Sequence, residues 1–120
     1  MIIDQIRSGS IDDSVRCAEI LNKWIDNTKW MPRLFSKDEI LKMIQEIIPL
    51  REIWVFGEPV SAYLSFNKDL SQIEALYCDI TGKGHGKVLL DKIKARRKYI
   101  QLWSHSPNEL AHRFYIREGF

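Results

Sequence analysis

The chain has 120 residues, 45% of them hydrophobic and 28% charged, with a formal net charge of +2. That length suits one domain with a real core, and that composition excludes disordered and fibrous classes. A balance so near neutral offers no broad footprint for nucleic acid. The basic tract Lys92, Lys94, Arg96, Arg97 and Lys98 reads as a solvated helix face.

Residues 1–7, MIIDQIR, are apolar enough for a first strand, which Ser8, Gly9 and Ser10 end. From Ile11 to Ile25, the apolar residues Val15, Ala18, Leu21 and Ile25 recur at helical spacing, and Asp12 and Asp13 lie in the first turn, where negative charge suits the helix dipole. Pro32 breaks this pattern. Ser36 followed by Glu39 reads as a capping box, and Ile40, Met43, Ile44 and Ile47 give a second helix its apolar stripe as far as Pro49.

The period then changes. Residues 52–57 and 59–66 are β-branched and aromatic runs separated by Gly57 and Glu58, which predicts a tight hairpin, and residues 72–78 supply a third strand of the meander. A helix is expected at about 86–97, a strand at 99–104, and a last helix at about 108–118, ended by Gly119. The predicted order is β-α-α-β-β-β-α-β-α. It implies an α/β (α+β) fold with a mixed, mostly antiparallel sheet, in which one crossover helix joins two parallel strands.

Cys17 and Cys78 are too few for a disulfide framework and form no CxxC pair, so reduced thiols in a cytoplasmic protein are the simplest reading. The acidic N-terminus does not resemble a signal peptide. No apolar run approaches the roughly 20 residues that span a bilayer, so no membrane role is expected. His85, His105, His112 and the two cysteines lack metal-ligand spacing, and no metal is expected. Trp24, Trp54 and Trp103 read as core; Trp30 and Met31 fall in the connection between the first two helices, where core packing is the favoured reading.

The motif that carries chemistry is TGKGHGKVLLDKIKARR, residues 81–97. Gly82 to Lys87 is one residue short of a P-loop, and Val88 stands where the metal-binding hydroxyl belongs. Gly82, Gly84 and Gly86 give G-x-G-x-G rather than the dinucleotide fingerprint, and an antiparallel meander precedes them. What survives is a bare backbone before a helix N-terminus, with Lys83 and Lys87 adding charge, which suits a phosphate or pyrophosphate. On the glycines alone, a flexible loop explains them equally well.

The later stretch NELAHRFYIREGF puts Asn108, Ala111 and Tyr115 on one helix face, directly after the second parallel strand. Together, IEALYCDITGKGHGKVLL and NELAHRFYIREGF resemble the two motifs of the GNAT superfamily of N-acetyltransferases, and the element order fits along the whole chain. The resemblance implies transfer of acetyl from acetyl-CoA, as cosubstrate, to a primary amine of a small molecule or peptide. It implies that backbone N–H groups of Lys83, Gly84, His85, Gly86 and Lys87 cradle the pyrophosphate. The two parallel strands would splay so that the pantetheine arm pairs with Leu76, Tyr77 and Cys78. Asn108 would bond that arm, and Tyr115 would protonate the departing thiolate.

The resemblance also implies a carboxylate base on the same strand, acting directly or through water. Alternation puts Gln72, Glu74, Leu76 and Cys78 on one side, which singles out Glu74, although an ordinary surface glutamate fits as well. Thr81 stands where the motif's leading Gln or Arg is usual, and the turn from Asp79 to Gly82 is shorter than usual. The chain ends at Gly119-Phe120 where members of that family continue into further strands, which would leave the 99–104 edge exposed; the expectation is either a truncated form or association through that edge, as a homodimer or with a separate polypeptide. A catalytically degenerate CoA-binding or subunit-interaction domain of the same fold is the alternative reading.

Overall fold

The computed structural model describes residues 5–95 and 97–120. Its sheet has five strands in the order β1-β2-β3-β4-β5: Ile6–Ser8, Glu52–Phe56, Ala62–Asn67, Gln72–Cys78 and Gln101–Leu102. The first three ladders are antiparallel, and β4 pairs with β5 in parallel. The helices are α1 (Ser14–Asn27), α2 (Lys37–Ile47), α3 (His85–Lys94) and α4 (Glu109–Arg117). The expected order and the single crossover are therefore present. Residues 1–4 of the expected first strand lie outside the described residues, as does Arg96 of the basic tract.

The capping box forms as the spelling predicts: Glu39 N–H donates to Ser36 Oγ at 3.1 Å, and Ser36 N–H donates to Glu39 Oε1 at 3.0 Å. A short 3-10 turn, Ile11–Asp13, precedes α1 and rotates its buried face. Val15 turns out to solvent, while Cys17, Ala18 and Ile20 are buried. Arg7 grips Asp13 at 2.9 and 2.7 Å, tying β1 to that turn.

The hairpin is looser than expected. β3 begins at Ala62, not at 59, because Gly57 at φ +95° starts a wider turn, which Ser61 closes by donating its N–H to Phe56 O at 2.8 Å. Proline at 59 has no N–H to give a ladder, so strand pairing cannot start there.

Two apolar layers lie on the two sheet faces. One packs Phe56, Ala62, Leu64, Phe66 and Ile73 against Leu89, Leu90 and Ile93 of α3. The other packs Ile53, Val55, Val60 and Tyr63 against Cys17 and Ile20 of α1, with Ile48. Trp54 is half-buried beneath the Lys92 ammonium, 4.6 Å from the ring centroid. Trp103, expected in the core, is 83% exposed. The reason is that β5 is two residues long instead of six and Trp103 lies beyond it. The basic tract is also less free than expected: Lys94 donates to Glu118 O at 2.7 Å and Arg97 to Glu52 Oε1 at 2.6 Å.

Candidate functional site

Alternation along β4 breaks at one residue. Opposite β3, Ala75 faces Ser65 and Ile73 faces Phe66, so Glu74 is the extra residue of a bulge. The bulge resets the faces: Ile73, Leu76 and Cys78 join the α3 layer, while Ala75 and Tyr77 join the α1 layer. Glu74 therefore does not share one uninterrupted face with Gln72, Leu76 and Cys78, as alternation had it. Its carboxylate Oε1 accepts from Arg51 Nε and forms an ion pair with it.

At the same level the parallel ladder ends. β4 and β5 pair only through Gln72 with Gln101 and Ile73 with Leu102, then part. Between them opens a cleft of about 840 Å³. Leu76, Tyr77 and Cys78 line it from β4, Gly84, His85, Gly86 and Lys87 from the start of α3, and Asn108 and Tyr115 from α4. Glu74 reaches it as well. Of the residues selected from sequence, Lys83 alone is not among the lining residues; it sits exposed on the loop.

The loop before α3 is held at its root. Asp79, one residue past β4, takes Lys23 Nζ at 2.8 Å and Arg16 Nη2 at 3.0 Å, and its N–H donates to Ser61 O at 2.7 Å. Lys23 first and Arg16 second hold the Asp79 carboxyl below its ordinary range. Beyond it, Gly82 and Gly84 adopt φ of +77° and +81°, and Gly84 is the N-cap of α3. An added Cβ at either would meet nothing within 4 Å, so glycine is needed for backbone shape and leaves open approach to the helix end. Gly86 differs: its Cβ position lies 3.5 Å from Cys78 Sγ and 3.7 Å from Phe114 Cζ, ordinary contact distances where α3 and α4 meet β4.

Some expected contacts are already engaged. Burial raises the Cys78 thiol, and the nearby Gly86 N–H opposes that rise. The Lys87 ammonium pairs with Glu118 at 2.8 Å and Asp91 at 3.4 Å. With Lys94 on the Glu118 carbonyl, it ties α3 to the end of α4. Asn108 is the N-cap of α4, its Oδ1 accepting from Ala111 N–H at 3.2 Å, and its amide NH₂ has no partner among the described residues. His85 packs on Phe56 at 4.3 Å between centroids, with Nδ1 3.4 Å from Ser61 Oγ.

Tyr115 packs edge-on between Phe114 and Phe120, with centroids 5.3 and 5.7 Å away. Burial pushes its phenol up to about 12, and nearby Tyr77 and Cys78 add to the rise. It therefore carries its proton at neutral pH. Sequence reasoning did not foresee an aromatic chain on the far wall: Tyr77 packs on Trp24 at 5.2 Å, Trp24 on Trp30 at 5.7 Å, and Trp30 on His105 at 5.4 Å. The chain links α1 and the connection after it to the loop following β5. The signal in the sequence was the place of Trp30 in the connection between the first two helices, while Trp24, read as core, is half-buried in the same aromatic chain. Among the described residues no cluster of metal-binding side chains occurs, and no helix is long and apolar enough to cross a membrane.

No protein-family model and no curated protein sequence matches the chain. Solved structures do. A possible acetyltransferase of Clostridium difficile 630 superposes with a TM-score of 0.77 over 96% of this chain and 88% of its own, at 18% identity. The yncA protein of Salmonella typhimurium, solved with its cofactor acetyl-CoA, gives 0.71 over 96% and 78%, at 25% identity. A ribosomal-protein-alanine N-acetyltransferase of Brucella melitensis gives 0.69 over 95% and 82%, at 18% identity. With its mixed five-stranded sheet parted between β4 and β5 and these neighbours alongside, the chain has the fold of GNAT-type N-acetyltransferases.

Proposed function

We propose that the protein transfers an acetyl group from acetyl-CoA to a primary amine. The observation that carries this reading is the parting of β4 and β5 directly beside a helix start whose preceding glycines leave it open. A parted parallel pair exposes the backbone N–H and C=O groups of Leu76 and Cys78, which point away from β3 on either side of Tyr77, an edge that an extended amide-bearing chain can pair with. The helix start offers N–H groups and the positive end of the dipole to a pyrophosphate. Both features fit the two halves of one molecule, coenzyme A, and the cleft has the volume of a small-molecule site.

The cosubstrate supplies a thioester, whose C–S bond breaks as the N–C bond of the new amide forms. The chain's residues do the rest. The backbone of α3's first turn and of β4 positions the thioester, and positioning supplies much of the rate in a transfer of this kind. The amine gives up its protons to a base, with Glu74 or a water it orders as the candidate. The Tyr115 phenol, protonated at neutral pH, gives a proton to the leaving thiolate. Asn108 holds the arm through its free amide NH₂.

The reading is tested by thiol release from acetyl-CoA with a panel of primary amines, beside calorimetric titration with CoA. Saturable CoA binding and thiol release with an amine are expected. Gly84→Asp puts a carboxylate at the helix cap and strains a φ of +81°, so it abolishes CoA binding. Equal binding by wild type and variant moves the site elsewhere; CoA binding with no thiol release for any amine favours the catalytically degenerate form of the fold.

A further inference from the structure

A second cavity, of about 280 Å³, lies between α1, α2 and the sheet face that carries Tyr63 and Tyr77. It exists because α2 leans away from the sheet: Ile40 alone of its stripe is buried, whereas Met43 and Ile47 are 44% and 37% exposed. Leu21, Ile40, Ile44 and Ile53 make most of its wall aliphatic. Ser65 and Tyr63 add hydroxyl groups, and burial keeps the Tyr63 phenol protonated and neutral. Glu74, Ala75 and Tyr77 form its β4 side, and the same three residues line the cofactor cleft. Cavity and cleft therefore share a stretch of β4 wall at and beside the bulge.

The charge pattern narrows the ligand. Among the described lining residues Glu74 is the only charged one. Its Oε1 is taken by Arg51, and its Oε2 has no partner among the described residues. One carboxylate oxygen at the mouth of an otherwise neutral cavity complements a ligand with a single positive group and an apolar body. A dry cavity of about 150 Å³ already takes benzene, so this one has room for a six-carbon chain or an aromatic ring with a short linker.

We propose that this cavity holds the apolar body of the acceptor, so that the acceptor is a small alkyl or arylalkyl primary amine whose amino group lies at Glu74, facing the cleft. The assignment rests on the acetyl-transfer reading above. A polyamine or aminoglycoside would bury unpaired cationic or hydroxyl groups against isoleucines. An acidic acceptor would meet Glu74.

The experiment measures kcat/KM for acetyl-CoA with ethylamine, butylamine, hexylamine and benzylamine, against ethanolamine and spermidine. Each methylene that enters the cavity contributes about fourfold, so hexylamine exceeds ethylamine by on the order of 10²-fold and the polar amines fall at or below ethylamine. Ile44→Phe, which narrows the cavity at a half-buried position, flattens that dependence without altering CoA affinity. Ile44→Ala, which widens it, moves the optimum to longer chains. Either variant alone suffices if the other fails to fold. Independently of turnover, hexan-1-ol, which has no amine to acetylate, saturably shifts the methyl resonances of Ile44 and Ile53.

A flat chain-length series, or hexan-1-ol without effect on those methyls, overturns the proposal while leaving acetyl transfer intact. Saturable hexan-1-ol binding with no amine acetylated overturns the transfer reading and with it the acceptor assignment.

Discussion

Ile73 and Leu102 form the last rung between β4 and β5, and the next residue of β4 is the one that drops out of register with β3. Strand parting and bulge thus coincide. A bulge increases local twist and bends its strand, which turns the end of β4 away from β5 and opens the cleft where Leu76 to Cys78 would otherwise be paired.

If Tyr115 protonates the leaving thiolate, Tyr115→Phe keeps the ring between Phe114 and Phe120 and removes only the hydroxyl. Acetyl transfer should slow by about 10²-fold, with CoA affinity nearly unchanged. Single-turnover rates beside calorimetric affinities check this, and an unaltered chemical step would assign the tyrosine to packing alone.

The two cysteines should differ in reactivity, because thiolate is the reacting form. Cys17 is buried, and its thiol is pushed up to about 12, chiefly by that burial. Cys78 is half-buried on the cleft wall, raised less because the Gly86 N–H opposes the effect. With an aromatic disulfide reagent at pH 8, the folded protein should release one equivalent of chromophore, from Cys78, and CoA should protect it. Equal labelling of both residues, or no protection, would contradict the geometry.

Asp13 should make stability depend on pH at the acid end. The Arg7 guanidinium, with help from the Ser10 N–H, holds its carboxyl below the ordinary 3.8. A depressed value means that the stabilisation is full above about pH 4 and is lost as pH falls through the lowered value. Asp13→Asn should cost about 1–2 kcal/mol at pH 7 and less at pH 3, below the ordinary 3.8. Urea unfolding at the two pH values tests it; an equal loss at both would show that shape, and not charge, matters at this position.

Leu89→Ala should be among the most damaging single changes. Leu89 is fully buried between α3 and the sheet, beside Leu64 and Phe66. The cavity and lost burial together cost about 3 kcal/mol, read as a shift in urea midpoint at constant slope. A loss below about 1 kcal/mol would mean that α3 relaxes onto the sheet.

The element order, the capping box at Ser36 and Glu39, the parallel pairing of 72–78 with the strand near residue 101, and the glycine start of α3 were all legible in the sequence. Each depends on neighbours in the chain: periodicity, a cap three residues from its partner, a backbone that needs glycine to reach positive φ. The resemblance carried by the segments around 82–87 and 108–120 added the fold. The strand expected at 99–104 shrank to two residues, and Trp103 left the core. Apolar spelling says that a strand can form there; only β4's path decides how far it has a partner. Alternation placed Glu74 with Leu76 because a period of two assumes an unbroken ladder, and a bulge is set by the register of two strands together. The pairing of Arg51 with Glu74, of Lys87 with Glu118, and the cavity under α2 join residues from 23 to 31 positions apart or more. Charge and apolar character are written residue by residue, but which charge meets which, and what space the packing leaves unfilled, arise only when the helices close on the sheet.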